Sequence, residues 1–203
     1  MSVFIPEARI KAETSELWQR HKLEPGFDVE QLLDALDLGL CWEPVSDDPT
    51  TIVLGQLIPA ERTVVINERH RAKLEAKGGR LLRYTLGHEI GHWHLHADDI
   101  RSGTISLFDG RRVWCRDGST DPVERQAEMF AAALLMPHGP LQAQLPKAPW
   151  NGWPPVYRLA DDFAVNVTPM TIRLERLGWM HRDAHGRPVS GPKPDLGQGA
   201  LFS

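Results

Sequence analysis

The chain has 203 residues, a net charge of −4, 41% hydrophobic and 25% charged residues, which describes a globular protein with one main core rather than a disordered or membrane-spanning one. The acidic balance gives no footing for general nucleic-acid affinity, which relies on an excess of Lys and Arg. Two distant cysteines, Cys41 and Cys115, build no disulfide framework, and the N-terminus lacks the apolar stretch of a secretory signal, so a reducing, cytoplasmic location is expected.

Residues 6–22 predict a first helix with Ile10, Leu17 and Trp18 on its apolar side and Pro6 in its first turn. Pro25-Gly26 breaks it, Asp28 caps a second helix carrying Val29, Leu32, Leu33 and Leu36, and Gly39 ends that one. Residues 40–45 look like a short strand. Residues 51–58 and 62–66 are apolar and β-branched around Pro59-Ala60-Glu61, which predicts a hairpin. Residues 68–79 predict a short helix closed by Gly78-Gly79.

The next stretch, residues 80–98, carries the densest chemistry. RLLRYTLGHEIGHWHLHAD holds His88-Glu89-Ile90-Gly91-His92, an H-E-x-x-H motif. Residues four apart share a helix face, so both imidazoles can reach one Zn²⁺. Glu89, beside the first of them, is positioned to take a proton from the attacking water. Leu82, Leu86 and Ile90 supply an apolar face for burial.

Residues 105–108 and 112–116 predict two strands around Asp109-Gly110, a strong hairpin signal. Residues 121–136 predict a long helix with Asp121 as cap, Pro122 in its first turn, and Ala127, Phe130, Ala131 and Leu134 on one side. A proline-rich loop to residue 155 shows little periodicity and is expected to wrap the surface or cover a cleft. Residues 156–180 return to helical spacing: one short helix through Phe163, a turn at Val167-Thr168-Pro169, and another helix stopped by Gly178. From residue 181 the chain is rich in Gly and Pro and reads as a mobile tail. The organisation expected is a main domain over residues 1–150, a helical pair over 151–180 packed on it, and the tail over 181–203.

A catalytic zinc takes three protein ligands and keeps an open position. Glu124 is one candidate for the third. With Glu128 it has i, i+4 spacing, which would let Glu124 ligate and Glu128 brace a histidine from behind. Asp121-x-x-Glu124 is equally a capping box, in which Glu124 would only bond the cap amide. Asp98 stands ten residues after His88, but the glycine that such a route needs is Leu95 here. Cys115 is a soft donor as a thiolate, and elsewhere a small core residue. His96 continues the histidine face, yet three histidines at successive turns span roughly 12 Å and cannot all reach one ion. It is expected to hydrogen-bond or face a cleft, and His94 to be exposed.

RYTLGHEIGHWHLH, then ERQAEMFAAALLMP, then LADDFAVNVTPMTIRLERLGW together resemble the ImmA/IrrE family of metallopeptidases, and IPAERTVVIN fits the hairpin before them. The likeness covers residues 30–180. It implies an α+β fold, a gluzincin-like zinc peptidase core: a small antiparallel sheet packed on the H-E-x-x-H helix and a second ligand helix, with a helix-turn-helix-like pair at the C-terminal end. It implies His88, His92 and Glu124 as ligands of one Zn²⁺ and Glu89 as the base. Mn²⁺ or Fe²⁺ would suit the same donors. The substrate implied is a separate Xre-type helix-turn-helix repressor, cleaved to release stress-response or mobile-element genes. A sensor-like C-terminal domain known in some members is not expected here. Tyr84, His96, His138 and Tyr157 are candidates for an oxyanion donor or cleft residue, and Cys115 for a thiol that holds the metal until oxidised. Rival readings are a non-catalytic zinc-binding adaptor, to which Glu89 would be superfluous, and a DNA-binding regulator. For the latter, residues 156–182 offer four Arg against Asp161, Asp162 and Glu175, a weak charge for gripping phosphates.

Overall fold

A computed structural model describes residues 5–47, 52–102 and 121–193. In chain order the elements are α1 (Glu7–Arg20), α2 (Val29–Ala35), β1 (Gly39–Glu43), β2 (Gly55–Ile58), β3 (Thr63–Asn67), α3 (Arg71–Arg101), α4 (Pro122–Leu135), α5 (His138–Gln144), α6 (Pro154–Asp162), α7 (Val167–Arg176), β4 (Met180–Arg182) and β5 (Pro188–Ser190). The fold is α+β, and Ile10 of α1, Leu33 of α2, Ile66 of β3, Ile90 of α3, Phe130 of α4 and Phe163 after α6 all belong to one buried cluster. Among the described residues no helix is long and apolar enough to cross a membrane. The hairpin expected at residues 105–116, Cys115 included, lies outside the described residues.

Local signals place the first elements. The Asp28 carboxylate accepts from the amides of Glu30 and Gln31 and caps α2. The short helix expected before the H-E-x-x-H segment is the first arm of α3. Ala76, Lys77, Gly78 and Gly79 leave helical geometry there, the last three at φ of 53°, 72° and 71°. Glycine reaches that left-handed region without steric cost, so the chain re-aims at this point. Arg80 then anchors the second arm, donating to the Asp161 carboxylate at 2.7 Å and to the Val165 carbonyl at 3.3 Å.

The sheet differs from the expected antiparallel one. β2 and β3 form the antiparallel hairpin, but β1 lies on the other side of β3 and runs parallel to it. The chain between β1 and β2 must therefore cross the end of β3. Asn67, fully buried at that end, holds the crossing. Its Nδ2 donates to the carbonyls of Val45 (3.0 Å) and Val53 (2.7 Å), and its Oδ1 accepts from the amides of Val45 and Arg69 (both 3.1 Å). Asn67→Ala strips four hydrogen bonds and leaves buried backbone groups unpaired, so about 2–4 kcal/mol of stability should be lost. Urea denaturation measures this; a loss within experimental error would show that the crossing does not depend on Asn67.

On the other face of the site, Asp121 caps α4 through the Val123 amide at 2.9 Å, with Pro122 in the first turn. Two glycines on α3 let α4 lie close. A Cβ on Gly91 would meet Ala127 O at 3.0 Å and Ala127 Cα at 3.1 Å, and one on Gly87 would meet Leu135 Cδ1 at 3.3 Å. On the far side of α4, Trp18 of α1 donates to the Leu134 carbonyl at 2.7 Å.

The C-terminal part is more ordered than composition suggests. The proline-rich stretch contains α5 and the start of α6. Val167-Thr168-Pro169, expected as a turn, is the first turn of α7, where a proline's missing N–H costs nothing. The tail expected from residue 181 opens instead on the β4–β5 hairpin. Backbone bonds from Gly152 N to Pro188 O (2.7 Å), Ser190 N to Trp150 O (2.9 Å) and Gly191 N to Trp179 O (2.8 Å) fasten it. Those partners are distant in sequence, so no local periodicity announces them.

Candidate metal centre

The second arm of α3 carries His88 and His92 one turn apart, and α4 brings Glu124 across to them. The three side chains form a group that could hold a metal ion. His88 Nε2 stands 2.9 Å from His92 Nε2 and 3.1 Å from Glu124 Oε2, and His92 Nε2 stands 3.3 Å from Glu124 Oε1. Donors bound tetrahedrally at about 2.0–2.1 Å stand about 3.3 Å from one another. The two imidazole nitrogens and the two carboxylate oxygens thus stand at the spacing of donors around one ion, and two imidazoles with one carboxylate suit a borderline-soft divalent ion. The residues fit the group that the motif implies.

The spacing of Glu124 left two arrangements open. Its carboxylate faces the imidazoles rather than capping α4. Burial works to raise its pKa, but the hydrogen bonds and charges of His88 and His92 outweigh it and hold the carboxylate well below the usual range. Asp98 plays no part: its side chain is 98% exposed and pairs with Arg101 at 2.9 Å.

Of the two settings expected of His96, the structure shows the hydrogen-bonded one. The ring is 1% exposed and lies behind His92. Its Nε2 stands 2.9 Å from Gln126 Oε1 of α4, and its Nδ1 stands 3.3 Å from His92 Nδ1. An amide oxygen only accepts, so His96 carries its proton on Nε2. Burial lowers the His96 pKa and keeps the ring neutral, which leaves Nδ1 as an acceptor. With a metal in place, His92 would then donate from Nδ1 and keep the lone pair on Nε2, the atom that faces His88 and Glu124. The chain Gln126–His96–His92 selects the ligating tautomer. Gln126→Ala should weaken zinc binding by about 10–100-fold. Competition against a chelator reads this; unchanged affinity would remove the chain from the account. Nothing in the sequence marks Gln126, because its only signal is a contact with an element thirty residues away.

Glu89 is fully buried directly beside His88. The bracing expected of Glu128 is made on His92 by His96. Glu128 makes no hydrogen bond to either histidine; burial raises its pKa, against the pull of Arg176. Tyr84, one turn before His88, is half-buried among core residues, and burial pushes its hydroxyl pKa well above the usual value. Two other candidate cleft residues have aromatic partners. His138 meets Trp179 edge-on at 4.8 Å, and Tyr157, 49% exposed, stacks on Trp153 at 6.0 Å. Neither is hydrogen-bonded to the three candidate ligands. His94, expected to be exposed, packs on Phe130 at 5.4 Å with Glu13 of α1 3.8 Å away.

Comparison with known families matches residues 48–175 to the Peptidase_M78 model, described as the IrrE N-terminal-like domain. Among solved structures, a Mycobacterium tuberculosis transcriptional regulator is similar with a TM-score of 0.55 at 12% identity. The match covers 93% of this chain and 57% of that one, so this chain spans less than two thirds of its structural neighbour, and the likeness concerns the fold alone. No curated protein matches.

Proposed function

The chain belongs to the IrrE N-terminal-like peptidase family, and from that premise we propose that it is a zinc-dependent endopeptidase that cleaves a partner transcriptional repressor of the Xre helix-turn-helix type. The observation that carries this reading is the convergence of His88 Nε2, His92 Nε2 and Glu124 on one point, with Glu89 intact beside them. His88, His92 and Glu124 would hold the ion. Bound there, Zn²⁺ would supply Lewis acidity. Glu89 accepts the attacking water's proton on a carboxylate oxygen and returns it to the leaving amine nitrogen. Gln126 and His96 keep His92 in the tautomer that ligates. The buried setting excludes bulk solvent, which strengthens each of these interactions.

A regulatory substrate is the finer part of the proposal. It rests on the family resemblance, and it accords with the name of the structural neighbour. Direct DNA binding has less support. Of the four arginines in residues 156–182, Arg158 donates to the Gln144 carbonyl, Arg173 is buried against the Met136 carbonyl, and Arg182 pairs with Glu175. That leaves few cations for phosphates.

The test is to incubate the zinc-loaded protein with the Xre-type repressor encoded nearest to it and to weigh the products. Two fragments that sum to the repressor plus one water establish reaction and substrate class together. An intact repressor with the metal confirmed bound counts against this substrate and favours a trapping adaptor.

A further inference from the structure

A cavity of about 350 Å³ opens between α1, α4 and α7. Its charged lining is Glu7, Lys11, Arg125, Glu128, Arg173 and Arg176. Glu7 and Lys11 pair with each other at 2.8 Å, and the Glu7 carboxylate also lies in the field of Arg173 and Arg176. Four cations, Lys11, Arg125, Arg173 and Arg176, then stand against two carboxylates, Glu7 and Glu128.

The arginines are not spent on the fold in the ordinary way. Arg173 is only 9% exposed. Its Nε donates to the Met136 carbonyl at 3.0 Å, which fixes the plane of the guanidinium. Its terminal nitrogens take no hydrogen bond and no ion pair among the described residues. Glu7 acts on Arg173 from a distance, but no carboxylate touches it among the described residues, and burying a guanidinium without an anion in contact is costly, so the lining leaves a gap for one. Arg176, at the exposed mouth, makes no ion pair within the described residues either. Glu128 does not fill the gap: it lies within the fields of Arg176 and Arg125 and forms no ion pair among the described residues.

The cavity also has a definite relation to the metal centre. Glu128 on its wall follows Glu124 by one helical turn on α4, about 6 Å along the axis. An extended peptide advances about 3.3 Å per residue. A chain whose carbonyl sits at the His88–His92–Glu124 group can therefore bring a side chain to this wall from a few residues away.

We propose that the cavity is a specificity subsite for the side-chain carboxylate of an Asp or Glu in the peptide substrate, seated against Arg173 and Arg176 a few residues from the bond that is cut. This rests on the peptidase reading and adds to it a substrate class, peptides with an acidic residue at a fixed offset from the cleavage site. A planar guanidinium held by its own Nε matches a carboxylate with two parallel donors.

The test has two arms, both with the full chain. The first uses metal-free protein and the probes N-acetyl-glutamate amide and its neutral isostere N-acetyl-glutamine amide, with the arginine Nε–Hε signals followed by NMR. The expected result is a saturable shift at Arg173 from the Glu probe alone, with affinity at least about tenfold lower in Arg176→Gln. Arg176 is at the surface, so this variant should keep the native melting temperature. No saturable shift at Arg173, or equal shifts from both probes, overturns the proposal. The second arm gives the zinc-loaded protein a set of unstructured peptides that differ in the place of a single Glu and maps the cuts by mass. Cuts at a constant offset from Glu, lost in Arg176→Gln, support the subsite. Cuts indifferent to Glu overturn it. Probe binding with no cleavage of any peptide overturns the peptidase reading instead, and so separates the two.

Discussion

Glu89→Gln is expected to stop peptide hydrolysis and leave metal binding in place. Gln is isosteric with Glu, and position 89 is fully buried in a packed helix face, so the exchange keeps volume while removing the proton acceptor. The three candidate ligands, His88, His92 and Glu124, are untouched. Loss of a general base costs about 10²–10⁴ in rate. The measurement pairs elemental analysis of bound zinc with the rate of repressor cleavage. A variant that binds zinc at the wild-type level and cleaves at least 100-fold more slowly fits the proposed role. Full activity in that variant would place the base elsewhere. The complementary change, Glu124→Ala, should act on the other quantity and lose the metal itself, since it removes the single anionic donor. Together the two variants separate holding the ion from using it, and so separate an enzyme from an adaptor that merely binds zinc.

Gly91→Leu is expected to damage stability and metal binding at once. Gly91 lies inside the H-E-x-x-H motif at a position that the metal does not need, yet its missing side chain is what lets α4 approach. The atoms that a Cβ would meet at 3.0 and 3.1 Å belong to the Ala127 backbone, with Phe130 Cβ also at 3.1 Å. No rotamer change can clear them, so α4 must shift as a body. Overpacking of this kind costs about 1–3 kcal/mol, and backbone contact argues for the upper end. Glu124, one turn from Ala127, moves with the helix and withdraws from the imidazoles. Zinc affinity should therefore fall although every ligand is present. Gly139→Ala, where nothing lies within 4 Å, is the control and should change neither quantity. A Gly91→Leu protein with wild-type melting temperature and zinc affinity would show that the helices are not held at this point.

Local chemistry accounts for what could be read from residues alone. The H-E-x-x-H spacing follows from the helical repeat. The caps at Asp28 and Asp121 are side chains bonding amides two or three positions away. The break at Gly78-Gly79 reflects the free access of glycine to positive φ, and the β2–β3 hairpin needs only a tight connection. Each of these free energies is decided within a few residues, so the chain reveals them without its fold. The family resemblance rests on the same stretches.

What was not legible depends on partners far apart in the chain. Glu124 satisfied two local patterns equally, and only the packing of α4 across Gly91 turned its carboxylate to the histidines. His96 read as a hydrogen-bonding or cleft residue, but its partner Gln126 was not legible. The parallel pairing of β1 depends on a crossing gripped by Asn67, and the β4–β5 hairpin depends on its contacts with residues 150–152, not on its Gly- and Pro-rich composition. The cavity at Arg173 exists only where α1, α4 and α7 meet. By itself the sequence determined the chemistry on offer, two imidazoles and a base on one helix, because side-chain direction along a helix is set by its own backbone. The tertiary structure decided which carboxylate faces them, which partner lies behind His92 and which arginines share one cavity, because those depend on burial shared between elements that no local spacing can rank.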